Sequence, residues 1–128
     1  AGALLAAKLA EAGIRVAVAS SSKNCAAILH ATGLDRLIDV RSDGIDVEQL
    51  RLSGKPDPAL FLEAARRLDV PPSRTILFED ALTGVEAGRR SGFGSVVGID
   101  RGGQQESLRW HGADIVIRSL QQVEVASS

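Results

Sequence analysis

A single cysteine, Cys25, stands in 128 residues. That excludes an internal disulfide framework and a cysteine zinc cluster, and it fits a reducing, cytoplasmic setting. Aromatic residues are almost as scarce, at 3%, so a core has to be built from Ala, Val, Leu and Ile, which suits the short aliphatic strands of a helix-covered parallel sheet. No charge of one sign prevails: 15 basic against 16 acidic residues leave a net charge of −1, which gives no reason to expect nucleic acid or an anionic membrane as partner. No apolar run approaches the roughly 20 residues of a membrane span. Residues 3–12 are apolar-rich but carry Lys8 and Glu11, and read as a helix, not a signal peptide. There is no internal repeat and no low-complexity segment. What remains, 45% hydrophobic residues, is enough for one domain, 1–128, with its own core.

Along the chain the pattern alternates helix and strand. Leu4, Leu5 and Leu9 sit at helical spacing before Gly13, and Ile14 to Ala19 reads as a buried strand. A polar run, Ser20 to Asn24, leads into a helix over Ala26 to Ala31 that Gly33 ends. Arg36 to Val40 is a predicted strand, followed by an irregular polar stretch to Gly54. In Lys55-Pro56-Asp57-Pro58, Lys55 belongs on a loop, Asp57 is a good N-cap and Pro58 a good first helical residue. The helix that follows runs to about Leu68, with Phe61, Ala64, Ala65 and Leu68 as its apolar face. Thr75 to Phe78 is a buried strand ending on Glu79 and Asp80, and a helix from Thr83 to Arg90 comes next, capped by Asp80 or Thr83. The predicted elements close with a strand at Ser95 to Ile99, a loop at Arg101 to Gly103, a helix about Glu106 to His111, a strand at Asp114 to Ile117 and a frayed tail from Val125.

Three polar clusters fall at strand ends or on loops. In an open parallel sheet, ligands gather outside the carboxyl ends of the strands. Ser20 to Asn24 offers hydroxyls, backbone N–H groups at a helix start and the Lys23 charge, which suit phosphate, although a serine-rich helix cap explains the same residues. Lys55 is a fixed positive charge able to offset charge on a phosphoryl group, or else an ordinary surface lysine. The adjacent carboxylates Glu79 and Asp80 repel each other unless a cation lies close, and hard oxygen ligands suit Mg²⁺. The order hydroxyl, lysine, acidic pair is more specific than any one of them, because together they supply what phosphoryl transfer requires. The remaining candidates read more plainly: His30 and His111 lack partners at metal spacing, Cys25 reads as a small buried residue, Trp110 as cover for the core edge, and Arg101 as a residue able to meet an anionic substrate.

These residues resemble the haloacid dehalogenase-like phosphotransferases, and among them the β-phosphoglucomutase-like sugar-phosphate enzymes. VAVASSSKN is similar to the family's second motif, GKPDPALFLEAARRL to the third and FEDALTGVEAGRRSG to the fourth, while GADIVI resembles its last strand. The resemblance implies a Rossmann-like, three-layer α/β/α parallel sheet. It makes Ser20 the hydroxyl that hydrogen-bonds a phosphoryl oxygen and Lys55 the link between nucleophile and phosphoryl group. Ser21, Ser22, Lys23 and Asn24 become the binding loop for the substrate's phosphate, and Glu79 with Asp80 the Mg²⁺ site. It implies a Mg²⁺-dependent phosphatase or phosphomutase acting on a small sugar phosphate through an aspartyl-phosphate. Ala81 departs from the serine that many relatives carry there.

The larger departure is the family's first motif, Asp-x-Asp after an early strand. No aspartate precedes Ser20, and the 30 residues between Asn24 and Lys55 leave little room for a cap. The resemblance therefore implies that the first strand, the nucleophilic aspartate and the cap are not among these residues, and that the chain alone is inactive. That first strand would lie centrally, between Ile14–Ala19 and Thr75–Glu79. Its absence leaves a gap of roughly 9–10 Å between strands that each expect a neighbour at about 4.8 Å. The expectation is that the two strands pair directly, that another chain or segment fills the slot with self-association through the exposed edges, or that the chain is a sub-region of a larger protein. Two other function classes fit parts of the pattern. A receiver domain shares the residue types, but its acidic pair belongs at the end of the first strand. A non-catalytic phosphate-binding or assembly module would keep the loop without the nucleophile.

Overall fold

The computed structural model describes residues 9, 11–20 and 22–125. Most of the predicted helix at 3–12, Ser21 and the last three residues lie outside that range. Among the described residues, five parallel strands fall into two groups. In the first, β1 (Ala17–Ala19) pairs with β2 (Val40–Ser42), Ala17 opposite Val40 and Ala19 opposite Ser42. In the second, β3 (Ile76–Glu79), β4 (Ser95–Ile99) and β5 (Ile115–Ile117) pair in that order, with Glu79 opposite Gly98. The helices α1 (Cys25–Thr32), α2 (Gly44–Gln49), α3 (Ala59–Leu68), α4 (Leu82–Arg90) and α5 (Gln105–His111) make the connections. This is the parallel α/β architecture expected of the sequence.

Most departures from the predicted elements have local causes. β2 starts four residues later than expected because Gly33, at φ 73°, ends α1 and Leu34–Leu37 then form a single 3₁₀ turn. Asp39 next accepts a hydrogen bond from the Val16 backbone N–H at 2.6 Å, and the ladder begins beyond it. The polar stretch taken as irregular holds α2. Asp43 accepts from the N–H groups of Ile45 and Asp46, and Asp46 accepts in return from the Asp43 N–H at 2.9 Å, so a reciprocal capping box starts a helix too short to show periodicity. Neither Asp80 nor Thr83 caps α4. Its N-cap is Ala81, without a side-chain acceptor, and the N–H groups of Asp80 and Ala81 both donate to Glu79 Oε1 at 3.1 Å. Trp110 is 86% exposed and does not cover the core edge.

The core of the three-stranded group is Val85, Val96, Leu108 and Ala113, with Leu77, Leu82, Phe93 and Val116 against it. Gly88, on the inner face of α4, allows this close packing. A Cβ at Gly88 would lie 2.4 Å from Leu77 Cδ2. α3 buries Leu60, Phe61, Ala64, Ala65 and Leu68, and Phe61 meets Phe93 across the two groups, ring centroids 6.2 Å apart. β4 is buried along most of its length.

β1 and β3 were expected to be buried and are not. β1 is half-buried throughout, and Ile76 of β3 is 60% exposed. The reason is that, among the described residues, the two strands are not paired with each other. Both line a cleft of about 810 Å³, whose walls also include Phe61, Ala64, Leu68 and Phe93. Direct pairing of the two strands, one of the outcomes anticipated from the sequence, therefore does not occur.

Candidate active site

The carboxyl ends of β1 and β3 carry the residues singled out above. β3 ends on Glu79, which is only 12% exposed because α4 starts immediately and folds over it. Its Oε1 accepts the Asp80 and Ala81 N–H groups, and its Oε2 faces Lys55 Nζ at 3.2 Å. Lys55, 24 residues earlier in the chain, lies on the loop before α3, joined to Pro56 by a cis peptide bond, and its ammonium also stands 5.1 Å from the Phe61 ring centroid. The ring's negative face and the carboxylate together hold the ammonium at one place. Lys55 and Glu79, two of the residues singled out in the sequence, are thus in contact in the fold.

Gly84 makes room for it. A Cβ there would fall 2.2 Å from Glu79 Cδ and 2.4 Å from Oε2. Sequence reasoning passed over this glycine. A glycine inside a helical pattern, where it costs about 1 kcal/mol relative to alanine, was the available signal.

Asp80 has a different partner. Its carboxylate is about half exposed and meets Arg101 Nε at 3.2 Å. The register explains the meeting: Glu79 lies opposite Gly98, so the segment leaving β4 rises beside the segment leaving β3. Asp100 shapes that segment, its Oδ1 accepting from the N–H groups of Gln104 at 2.8 Å and Gly102 at 3.1 Å. Those hydrogen bonds, Gln104's foremost, hold the Asp100 carboxyl below its usual range.

The serine loop follows β1. The Ser20 N–H continues the ladder to Ser42 O at 2.9 Å. The Ser20 hydroxyl accepts from the Ser22 N–H at 3.2 Å, and the Ser22 hydroxyl from the Asn24 N–H at 3.1 Å. Asn24 stands at the start of α1 with no capping hydrogen bond from its side chain. Lys23 is turned onto α2, its Nζ 2.8 Å from Glu48, so its charge lies in an exposed pair. Cys25 is buried in the first turn of α1, and burial, with Asp43 nearby, pushes its thiol pKa up. His30 and His111 make only local contacts, with Asp35 and with the Ser107 carbonyl.

The chemistry of the donor set decides which metal these residues suit. Among the described residues no three His, Cys, Asp or Glu side chains cluster at metal-ligand spacing. Mg²⁺ takes one or two carboxylates with water and phosphate oxygens, and an adjacent Glu-Asp pair at a strand end fits that requirement.

A haloacid dehalogenase-like hydrolase family model matches residues 1–92. The chain belongs to that family. It is 49% identical over 112 residues to a β-phosphoglucomutase of Mycobacterium bovis, covering 85% of this chain and 43% of the relative. It is 37% identical over 117 residues to a trehalose-phosphate phosphatase of Mycobacterium leprae, covering 88% of this chain and 25% of that protein. Among solved structures, CbbY of Rhodobacter sphaeroides in complex with xylulose-1,5-bisphosphate is similar at 32% identity and a TM-score of 0.78, over 94% of this chain and 53% of that one. The chain thus spans less than half the length of these two curated relatives. The likeness places the haloacid dehalogenase-like α/β fold and phosphatase or phosphomutase chemistry in its family.

Proposed function

We propose that these residues form the phosphoryl-binding part of a Mg²⁺-dependent phosphatase or phosphomutase that acts on a small sugar phosphate. The observation that carries the reading is the Lys55–Glu79 contact at the carboxyl end of β3, with Asp80 beside it. The substrate class is supported by relatives named for phosphoglucose and trehalose phosphate, and by a relative that holds xylulose-1,5-bisphosphate.

In this reading Ser20 turns its hydroxyl proton to a phosphoryl oxygen, a role compatible with its accepting from the Ser22 N–H. Ser21, Ser22, Lys23 and Asn24 hold the substrate's phosphate. Lys55, fixed by Glu79 and Phe61, presents a preorganised positive charge to the phosphoryl oxygens, which needs no reorganisation during transfer. Both Glu79 oxygens are engaged, so Asp80 is the direct metal ligand and Glu79 acts through water. Bound there, Mg²⁺ neutralises phosphoryl charge. The nucleophile is an aspartate outside these residues, which contain no Asp-x-Asp sequence, and the 128 residues alone bind without turning over. The open edges of β1 and β3 associate with a second chain or segment. Reducing cytoplasm is the proposed setting, and among the described residues no helix is long and apolar enough to cross a membrane.

The test is Mg²⁺-dependent phosphate release from an aryl phosphate and a panel of hexose phosphates, alongside calorimetric binding of the same compounds, for the chain and its Lys55→Ala variant. Binding that weakens in the variant, without release, is expected. Release that depends on Lys55 would show a nucleophile among these residues and overturn the assignment of its place. No binding of any phosphate would remove the functional reading.

A further inference from the structure

The two carboxylates of the candidate metal site do not share a counter-ion. Glu79 has Lys55 at 3.2 Å, and Asp80 has Arg101 at 3.2 Å. Two negative and two positive charges therefore balance at this corner before any cation arrives. A divalent ion reaching Asp80 meets the Arg101 guanidinium, already paired with Oδ2, as a like charge. With the ion bound, the corner carries an excess of two positive charges, which a phosphate dianion cancels.

Resting on the Mg²⁺ reading above, we infer that Arg101 is a positioning residue that makes cation binding and phosphate binding depend on each other. Without an anion it holds Asp80 and keeps the cation weakly bound. When cation and phosphate arrive together it leaves Asp80 and turns to the anion, a planar donor suited to phosphate oxygens. Three structural facts support this. Arg101 is 70% exposed, so no packing opposes its release. Its loop is held from beneath by the Asp100 hydrogen bonds to Gly102 and Gln104, so the side chain moves on a fixed base. The register of β3 against β4 keeps that base beside Asp80.

A unit charge a few Å from a divalent ion, at a water-like dielectric and with salt screening, changes affinity about tenfold. The experiment is calorimetric titration of the chain with Mg²⁺, with and without millimolar inorganic phosphate, for the parent, Arg101→Gln, Arg101→Lys and Asp80→Asn. Without phosphate, Arg101→Gln is expected to bind Mg²⁺ about tenfold more tightly than the parent, and Arg101→Lys to resemble the parent because the charge is kept. Phosphate should tighten Mg²⁺ binding several-fold in the parent and much less in Arg101→Gln, as reciprocal linkage requires. If Arg101→Gln leaves Mg²⁺ affinity unchanged or weaker while Asp80→Asn abolishes it, the metal site stands and this inference falls. If neither the parent nor any variant binds Mg²⁺, or binding persists in Asp80→Asn, the metal reading falls and takes the inference with it.

Discussion

Replacing Gly84 with alanine should change sign in its effect on stability according to what stands at position 79. In the parent, the new methyl would sit 2.2–2.4 Å from Glu79 Cδ, Cγ and Oε2. The Glu79 side chain is flexible, but three hydrogen bonds pin it: Lys55 Nζ and the N–H groups of Asp80 and Ala81. Hydrogen bonds to charged groups contribute about 1.5–3 kcal/mol each. Water at the strand end replaces part of that, so displacing the carboxylate should cost about 2–3 kcal/mol in all. Alanine in a helix returns roughly 0.5–1 kcal/mol relative to glycine. Gly84→Ala alone should therefore destabilise by about 1–2 kcal/mol. In a Glu79→Ala background the methyl has space, and the same change should stabilise by roughly 0.5–1 kcal/mol. Urea unfolding of the four proteins measures this directly, provided the denaturant slope is constant across them. Equal effects in both backgrounds would refute the idea that this glycine exists to seat the Glu79 carboxylate.

Four further outcomes follow from the same geometry. Ala81→Ser should supply the missing side-chain cap of α4 and raise stability by about 1 kcal/mol in the same assay; a loss would mean that the hydroxyl disturbs the hydrogen bond from the Ala81 N–H to Glu79. Hydrogen bonding to Arg67 depresses the Asp46 pKa, and pairing with Arg66 and then Arg67 depresses that of Glu63. Folded values below the unfolded ones give stability that is full above about pH 4 and lost as pH falls through the folded values; Arg67→Met should flatten that acid limb of the unfolding curve, and an unchanged limb would place its origin elsewhere. The buried Cys25 thiol, its pKa raised by desolvation, should react with a disulfide reagent far more slowly in the folded chain than in urea at neutral pH, and equal rates would show that α1 opens freely. Sedimentation velocity over a concentration series should show self-association through the cleft between β1 and β3. A constant monomer mass would refute it.

The alternation of helices and strands, the parallel class of the sheet and the residue types at its carboxyl ends were legible in the residues alone. These are local properties: the aliphatic run before Glu79 and the stripe of Phe61, Ala64, Ala65 and Leu68 bear on which face an element buries, whatever lies far away in the chain. Short elements escaped that reading, as α2 did, because a six-residue helix held by the Asp43 capping box has no periodicity to read. What each charged group touches was decided only by the tertiary structure. Lys23 is a phosphate-loop candidate in the sequence, yet it meets Glu48 across a connection no local pattern describes. Glu79 and Asp80 are neighbours in the chain, yet the strand ends between them, and the fold gives the first to Lys55 and the second to Arg101. Burial of β1 and β3 was likewise beyond the sequence. An apolar strand is buried only when neighbours close both of its edges, and the facing edges of these two stand open on one cleft.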